Sequence, residues 1–341
     1  MKIIVDAMGG DLAPLAPVKG ALMAHERYGA DIILAGRTED ILRAMEQCGC
    51  KDLPKGVEIA NASEVVEICD DPATAFKHKK DSSLTVGLTM LRNGEANGFV
   101  SAGSTGALLA GATLVVKRVR GLRRAALAPT IPTAKGKAVL IDCGANAECT
   151  VEYLLQFAYL GSYYAQKVLG VENPRVGLLN IGAEESKGDT LRRETYQKLK
   201  EAGEAGHLNF IGNIEAKEAL LGACDVIVAD GYSGNILLKT VEGAAKLLLG
   251  EMKKAFLSST KSKLGALLVK DSLGDVKKLL DPSEVGGTPF LGISKPVLKA
   301  HGSSDARAIR NAVFRAVEYA QSGIIADVEA HIDVMKVEKN G

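Results

Sequence analysis

Five short segments combine glycine with side chains that can hold an anion, and each follows a predicted strand. They are DAMGGD (residues 6–11), SAGSTGALLAG (101–111), DCGANAE (142–148), NIGAEESKGD (180–189) and DGYSGN (230–235). Glycine lets the backbone approach a ligand closely, and several segments run into helices whose first amides favour an anion. A lone glycine loop is usually a tight turn. Five loops that also carry Asn, Ser, Thr, Lys and Asp predict a shared site for a small anion such as phosphate.

The polar side chains near these loops have a chemical and a structural interpretation. Lys187 is the cation embedded in a glycine loop, and it is either an anion ligand or a solvated loop lysine. Ser104 or Thr105 would cap the following helix, which is compatible with an anion on the neighbouring amides. His301 precedes another predicted helix beside Ser303, and a histidine in such a place is more often structural than catalytic.

Other chemistries lack their motifs. The sequence has no GxxxxGK[ST], no GxGxxG after a strand and no GxSxG, which disfavours P-loop, dinucleotide and serine-hydrolase sites. The six cysteines form no CxxC pair and have no histidine at zinc spacing, so we expect neither a metal nor a cofactor. Lys and Arg number 42 against 41 Asp and Glu, and Trp is absent, so nucleic acid is not an expected partner.

Strand-like and helix-like segments alternate along the chain and must position these loops. Strands are predicted at Lys2–Val5, Asp31–Ala35, Val57–Ala60, Gly98–Ser101, Ala138–Ile141, Val176–Asn180, Leu208–Ile211 and Val226–Ala229. Helices are predicted at Pro17–Tyr28, Thr38–Gln47, Leu84–Asn93, Thr105–Val116, Glu152–Leu169, Leu191–Glu201 and Ile236–Ala255. The alternation predicts a single α/β domain over residues 1–341, a three-layer α/β/α sandwich whose sheet is mostly parallel and covered by helices on both faces. The turn-rich stretch Pro129–Gly136 is either a subdomain seam or a surface loop.

Two lysine- and arginine-rich segments also have alternative interpretations. Residues 250–285 place leucines at helical spacing among lysines, and Gly265 and Gly274 favour two short helices over one rod. This arm either lies on an anionic membrane or belongs to a dimer interface or the core. The cluster KRVRGLRR, residues 117–124, either binds an acidic partner or complements a helix dipole.

The sequence predicts a cytoplasmic protein. Its first residues lack a secretory signal, because an acid and a glycine pair fall where the apolar region would be. The longest apolar run, Gly106–Val116, is well short of the roughly 18 residues of a spanning helix.

Six strings that occur in order resemble one family. They are DAMGGD, SAGSTGALLA, DCGAN, LLNIGAEESKGD, DVIVADGYSGNILLKTVEG and GGTPFLG…AHGSSDA. From residue 1 to about 330 this set is similar to the bacterial phosphate acyltransferases of phospholipid synthesis, the PlsX family. The resemblance implies the fold of phosphotransacetylases and of isocitrate/isopropylmalate dehydrogenases, and a homodimer.

The resemblance also implies a reaction and its partners. An acyl group would move from acyl-(acyl carrier protein) to inorganic phosphate, and the acyl-phosphate would feed a membrane-bound glycerol-3-phosphate acyltransferase. The enzyme would then sit peripherally on the inner face of the cell membrane. Alternatives are an acyl-CoA:phosphate transferase of the phosphotransacetylase type, an NAD(P)-dependent decarboxylating dehydrogenase of the same fold, and a non-enzymatic membrane scaffold for lipid enzymes.

Site roles follow from this resemblance as hypotheses. Phosphate is already an anion at neutral pH, so catalysis needs positioning and stabilisation of the tetrahedral oxyanion more than a strong base. Catalytic roles are assigned to Lys187, Asn180, Asn235, Asp230 and His301. Substrate and phosphate binding is assigned to Gly9, Gly10, Gly103, Ser104, Thr105, Gly106, Asn146, Gly188, Gly234 and Ser303.

Within these assignments, Lys187 holds the phosphate or the developing negative charge. The asparagines donate to the thioester carbonyl or fix the loops, and Asp230 orients Lys187 or Asn235. Asp6 and Asp11 are expected to accept hydrogen bonds from loop amides rather than act as acids, since two free carboxylates would repel phosphate.

Overall fold

A computed structural model describes residues 1–279 and 286–337 of the chain. The strands are β1 (Lys2–Asp6), β2 (Asp31–Gly36), β3 (Val57–Asn61), β4 (Gly98–Ser101), β5 (Ala126–Leu127), β6 (Thr130–Thr133), β7 (Gly136–Ile141), β8 (Arg175–Leu179), β9 (Asn209–Ile214), β10 (Val226–Val228), β11 (Thr288–Leu291) and β12 (Val297–Lys299). The helices are α1 (Leu15–Tyr28), α2 (Thr38–Gln47), α3 (Ala75–His78), α4 (Ser83–Asn93), α5 (Thr105–Gly111), α6 (Val151–Lys167), α7 (Thr190–Glu204), α8 (Ala216–Leu220), α9 (Gly231–Leu257), α10 (Thr260–Leu268), α11 (Lys270–Leu279), α12 (Ala306–Gln321) and α13 (Ile324–Ala330). A π-helical segment, Ala112–Val116, continues α5, and a 3-10 helix, Ile332–Met335, follows α13.

The described strands form two mixed sheets, ordered β3-β2-β1-β4-β12-β11-β5 and β6-β7-β10-β8-β9. In the first, β1 to β4 and β12 run parallel, while β11 is antiparallel to both neighbours. In the second, only β6 runs antiparallel, against β7. The predicted α/β class and the eight predicted strands are confirmed. The division into two sheets was not predicted, and the chain passes from one to the other between β5 and β6, at the start of the Pro129–Gly136 stretch.

Helices cover both faces of the first sheet, as the sequence analysis predicted. Ile3 and Val5 of β1 belong to a buried cluster with Val18 of α1. Ile4, between them, belongs to a second cluster with Leu88 of α4. Successive residues of a strand point to opposite faces, so one apolar run fills two helix layers.

The segment after residue 250 is helical and stands away from the core. Helix α9 has buried residues only near its start, the last being Leu237, and α10 has none. The helices α10 and α11 meet at Val269, in agreement with the two short helices expected; residues 280–285 of the predicted arm lie outside the described residues. Because α10 buries nothing, it does not cover the core of its own chain. Among the described helices, none has both the length and the apolarity needed to cross a membrane.

Candidate active site

The loops after β1, β4 and β12, here called the first loop group, are organised by the buried carboxylate of Asp6. Its Oδ2 accepts a hydrogen bond from Ser101 Oγ at 2.6 Å, and its Oδ1 accepts one from the backbone N–H of Met8 at 3.1 Å. Ser101 Oγ in turn accepts from the backbone N–H of Gly103 at 3.0 Å. Burial raises the pKa of Asp6, against the lowering effect of these hydrogen bonds. Asp6 therefore accepts a hydrogen bond from a loop amide, as predicted, and the Ser101 hydroxyl joins it to the loop after β4.

The DAMGGD segment is a close-approach loop. A Cβ added to Gly9 would lie 2.5 Å from Asp6 Oδ2 and 2.8 Å from the backbone nitrogen of Gly103. Gly10 has φ +103°, and a Cβ there would lie 3.0 Å from the carbonyl oxygen of Gly302. The backbone N–H of Asp11 donates to the same oxygen at 2.8 Å, so the loops after β1 and β12 are also joined. No side chain larger than hydrogen fits between these three loops.

The hydroxyl of Ser104 caps α5, accepting from the backbone N–H of Ala107 at 3.4 Å, so the capping interpretation is confirmed. Thr105 is the first residue of α5, and a Cβ on Gly106 would lie 3.0 Å from Pro72, which covers this turn. Asp6, Ser101 and Gly103 also border a small, partly open cavity of about 10 Å³, room for one water molecule. Phosphate binding by these residues stays a prediction.

Lys299, which the sequence analysis did not identify, is the cation of the first loop group. It ends β12, and its half-buried Nζ donates to the carbonyl oxygens of Ala300 and, at 3.4 Å, Ala102. Burial lowers the pKa of Lys299 to about 8, although the carboxylates of Asp11 and Asp6 oppose this shift. The sequence signal was an apolar run, Pro296–Leu298, that ends in a lysine directly before a Gly/Ser loop, but a three-residue strand is too short to show periodicity.

His301 and Ser303 lie together in the loop after β12. His301 Nδ1 is 2.9 Å from Ser303 Oγ and accepts from the backbone N–H of Ser303 at 3.3 Å. Burial lowers the pKa of His301, and the ammonium groups of Lys239 and Lys299 lower it further. His301 is therefore a neutral ring at pH 7 with its proton on Nε2. Because the Lys239 ammonium contributes to the lowered pKa of His301, Lys239 of α9 lies near the first loop group.

The loops after β7, β8 and β10, here called the second loop group, are organised by a second buried carboxylate. Asp142 Oδ1 accepts from the backbone N–H of Leu127 at 2.8 Å, and its Oδ2 accepts from the backbone N–H of Asn146 at 2.6 Å. Asn146 Nδ2 donates to Asp142 Oδ2 at 3.0 Å and to the carbonyl oxygen of Ala125 at 2.8 Å. Both amide hydrogens of Asn146 are thus occupied. Of its two proposed roles, the structure supports fixing the loops.

Asn180 and Lys187 lie in the loop after β8. Asn180 Oδ1 accepts from the backbone N–H of Ile181 at 2.8 Å, and its Nδ2 donates to the carbonyl oxygen of Lys187 at 3.2 Å. Gly188, with φ +85°, packs against the same amide. The Lys187 side chain is exposed and lies over Gly182. Asn180 therefore fixes the backbone that carries Lys187, while the lysine ammonium faces solvent.

Asp230 has different partners from those predicted. Its Oδ1 caps α9 by accepting from the backbone N–H of Ser233 at 2.9 Å, and its Oδ2 accepts from Ser233 Oγ at 2.9 Å and from Arg192. Arg192 also pairs with Asp189 at 2.8 Å. Asp230 therefore orients Arg192, not Lys187 or Asn235. Arg192 was not predicted as a site residue, because its partner Asp230 lies 38 residues away in the chain.

An open cleft of about 580 Å³ adjoins this pair, bordered by Glu148, Cys149 and Tyr232 among others. Gly234 is packed on the carbonyl of Asp142, and Asn235 lies exposed on the first turn of α9 near Gly144. Burial raises the pKa of the Cys143 and Cys149 thiols to about 12, so neither is a thiolate nucleophile at neutral pH. Within residues 1–279 and 286–337, no group of His, Cys, Asp and Glu is arranged to hold a metal ion.

Comparison with solved structures defines the class of the protein. A phosphotransacetylase, EutD from Staphylococcus aureus, superposes with a TM-score of 0.63 at 17% identity and covers 94% of both chains. A 4-hydroxythreonine-4-phosphate dehydrogenase from Klebsiella pneumoniae superposes with a TM-score of 0.55 at 12% identity, covering 94% of this chain and 98% of its own. The fold is that of the phosphotransacetylases and related dehydrogenases.

The family follows from sequence. A family model described as "Fatty acid synthesis protein" matches residues 1–327. A phosphate acyltransferase from Alkaliphilus oremlandii is 46% identical over 329 residues, which is 96% of this chain and 96% of the relative. The chain belongs to the phosphate acyltransferase family, so it is an acyltransferase enzyme, and the predicted resemblance is confirmed.

Proposed function

We propose that the protein transfers a fatty acyl group from acyl-(acyl carrier protein) to inorganic phosphate in phospholipid synthesis. A phosphate oxygen would attack the thioester carbonyl carbon, the C–S bond would break, and the carrier would leave as its thiol after taking up a proton. The observation that carries this proposal is the set of glycine loops that the buried Asp6 and its partners join at one sheet edge, where backbone amides come together. The Cys143 and Cys149 thiols are protonated at neutral pH, so neither competes with phosphate as the attacking group.

The two loop groups divide the work of this reaction. Phosphate would lie on the glycine backbone of residues 103–106, with Gly9 and Gly10 keeping the loops close enough to enclose it. Lys187 and Asn235, both exposed beside the second group, would reach the thioester carbonyl, where one donor to the oxyanion is commonly worth a few kcal/mol. Asn146, Asn180, Gly188 and Gly234 support these groups by fixing their loops.

The test is acyl release by the purified protein, with no nicotinamide present. Acyl-carrier protein and acyl-CoA of equal chain length are compared with and without phosphate, and acyl-phosphate is trapped as a hydroxamate. We expect phosphate-dependent thiol release with the carrier-protein substrate. Equal or faster turnover of acyl-CoA would favour the phosphotransacetylase-like alternative. Release that ignores phosphate would contradict acyl transfer to phosphate altogether.

The basic cluster of residues 117–124 is the proposed contact for the acidic carrier protein. Lys117, Arg120, Arg123 and Arg124 are exposed. Arg123 is already paired with Glu152 at 3.0 Å, and Arg124 lies 5.5 Å from the ring centroid of Tyr153. Lys117 and Arg120 are consequently the side chains with most freedom to meet a partner, and they would act mainly on the rate of association.

The arm, residues 250–285, is proposed to contact an anionic membrane, with a dimer interface as the alternative. Its described leucines are strongly exposed, among them Leu264 at 62%, Leu267 at 71% and Leu268 at 85%. Lysines lie between them, so one surface offers both apolar side chains and positive charge. Such contact would place the labile acyl-phosphate next to a membrane-bound glycerol-3-phosphate acyltransferase, on the cytoplasmic face.

Flotation with vesicles containing phosphatidylserine tests the membrane contact. We expect salt-sensitive binding that the Leu267→Glu/Leu268→Glu variant loses, while soluble turnover stays nearly unchanged. Leu221→Glu is the matched control, because Leu221 is 63% exposed but lies outside the arm. If the arm variant instead becomes monomeric and still floats, the exposed leucines belong to the dimer alone.

A further inference from the structure

Lys299 differs from the other lysines near the loops in how its charge is satisfied. Its stem is packed at the carboxyl end of β12, where Lys299 pairs in register with Ser101 of β4. Its ammonium donates to two carbonyl oxygens, those of Ala102 and Ala300. In the part of the chain that the structure describes, no carboxylate lies within ion-pair distance of it. An ammonium has three donors, so one remains for a ligand.

The two carbonyl contacts place the Lys299 ammonium beside the loop assigned to phosphate. Ala102, on which the ammonium rests, directly precedes Gly103, and the Ala300 N–H donates to Ser101 at 2.9 Å. The lysine is thus held against the loop 101–106 by two independent contacts. A half-buried cation next to a glycine loop is costly to desolvate unless an anion joins it.

We propose that Lys299 is the cation that binds the phosphate acceptor, donating one hydrogen bond to a phosphate oxygen while it stays anchored on Ala102. This inference rests on the proposed function, and it names the group that holds the acceptor in that site. Lys239 of α9, which is itself paired with Glu242 at 2.9 Å, is close enough to lower the pKa of both Lys299 and His301. Lys187 is then left for the charge that develops on the thioester oxygen.

The charges around Lys299 make this binding dependent on pH. Asp6 and Asp11 face it from the loop after β1, Lys239 faces it from α9, and His301 shares its own loop. With a pKa of about 8, Lys299 is mostly protonated at pH 7 and mostly neutral at pH 9.5. Phosphate stays a dianion from pH 8 to 9.5, so a fall in phosphate affinity across that range reports the lysine.

The experiment measures the apparent KM for phosphate and, separately, the rise in Tm caused by added phosphate. Lys299→Met should raise the KM about tenfold or more, the loss expected for one hydrogen bond to a charged group, and should abolish the Tm rise. Lys299→Arg should keep tight binding and remove the pH dependence between 8 and 9.5, because arginine stays charged. Lys295→Met, an exposed lysine on the same segment, is the matched control and should behave as wild type.

The outcomes separate this inference from the proposed function. If wild type shows no phosphate-dependent acyl release, the proposed function fails first. If wild type is active but Lys299→Met binds phosphate with a KM within twofold of wild type, Lys299 is only a structural prop for the Ala102 loop. Should Lys299→Met fail to fold, the pH profile of Lys299→Arg decides, since a flat profile supports the inference and a wild-type profile overturns it.

Discussion

The two loop groups are built alike, but their cations, Lys299 in the first group and Arg192 in the second, have different partners. Each has a fully or nearly buried aspartate at the end of an inner strand, Asp6 as the last residue of β1 and Asp142 directly after β7, that accepts hydrogen bonds from loop amides. Burial raises the pKa of both carboxyls. In each group a glycine, Gly9 or Gly234, lets two loops touch. The shared pattern is a buried acid that holds several loops at one sheet edge.

The difference lies in the cations. In the second group the charge of Arg192 is balanced by the carboxylates of Asp189 and Asp230, so this cation needs no anionic ligand. In the first group the hydrogen-bond partners of the Lys299 ammonium are carbonyl oxygens, and the carboxylates of Asp6 and Asp11 act on it only from beyond ion-pair distance. A cation already paired with carboxylates has little affinity left for another anion. A site that must bind and release phosphate therefore needs a cation such as Lys299 and not one such as Arg192.

Arg192→Met should give the largest effect that this comparison predicts, and the effect should be on stability. The Arg192 and Asp230 side chains are only 18% and 8% exposed, so removal of Arg192 leaves the Asp230 carboxylate nearly buried with Ser233 as its remaining partner. Breaking a buried ion pair costs about 3–5 kcal/mol of unfolding free energy, and the Ser233 hydrogen bonds favour the lower end of that range. Urea unfolding measures this loss, with Lys198→Met as the control, since Lys198 and Glu201 form an exposed pair worth little.

The comparison would be wrong if Arg192→Met folded as stably as wild type but bound phosphate poorly. Arg192 would then be a ligand for the substrate, and Asp189 and Asp230 would be its resting partners only. A loss of stability with unchanged phosphate KM keeps Arg192 as part of the framework.

The sequence predicted eight strands that run parallel to a neighbour, the short β4 and β10 among them, because each is an apolar run bounded by glycine or a polar loop. It missed β5, β6, β11 and β12, which are two to four residues long. Two of them contain proline, Pro132 in β6 and Pro289 in β11, and proline argues against a strand in any local reading. These short strands carry the antiparallel pairings, so the division into two sheets was not visible either.

The candidate site was predictable where its parts are contiguous and not where they come from distant segments. The glycine loops are unbroken strings, and their positions after strands were correct. Lys299 is placed beside the glycine loop by its contact with Ala102, 197 residues earlier in the chain, and Arg192 is oriented by the distant Asp230. Lys187 was conspicuous as a cation in a glycine loop, but neither its exposure nor the separate partners of Asp230 could be read from local sequence.

Lys187→Ala sharpens the comparison from the side of the second loop group. Lys187 is exposed, on a backbone fixed by Asn180, so its removal should leave folding intact. If it meets the developing oxyanion once the carrier's thioester has entered and displaced water, turnover should fall by about 10²–10³, the loss typical of one charge-stabilising donor. The phosphate KM should stay near that of wild type, because Lys299 holds the acceptor. Steady-state kinetics with phosphate and acyl-carrier protein varied in turn separate the two effects, and Lys137→Ala, an exposed lysine at the amino end of β7 in the same sheet, is the control. A raised phosphate KM would mean that both loop groups bind the acceptor, and wild-type turnover would remove the loop 180–189 from the active site.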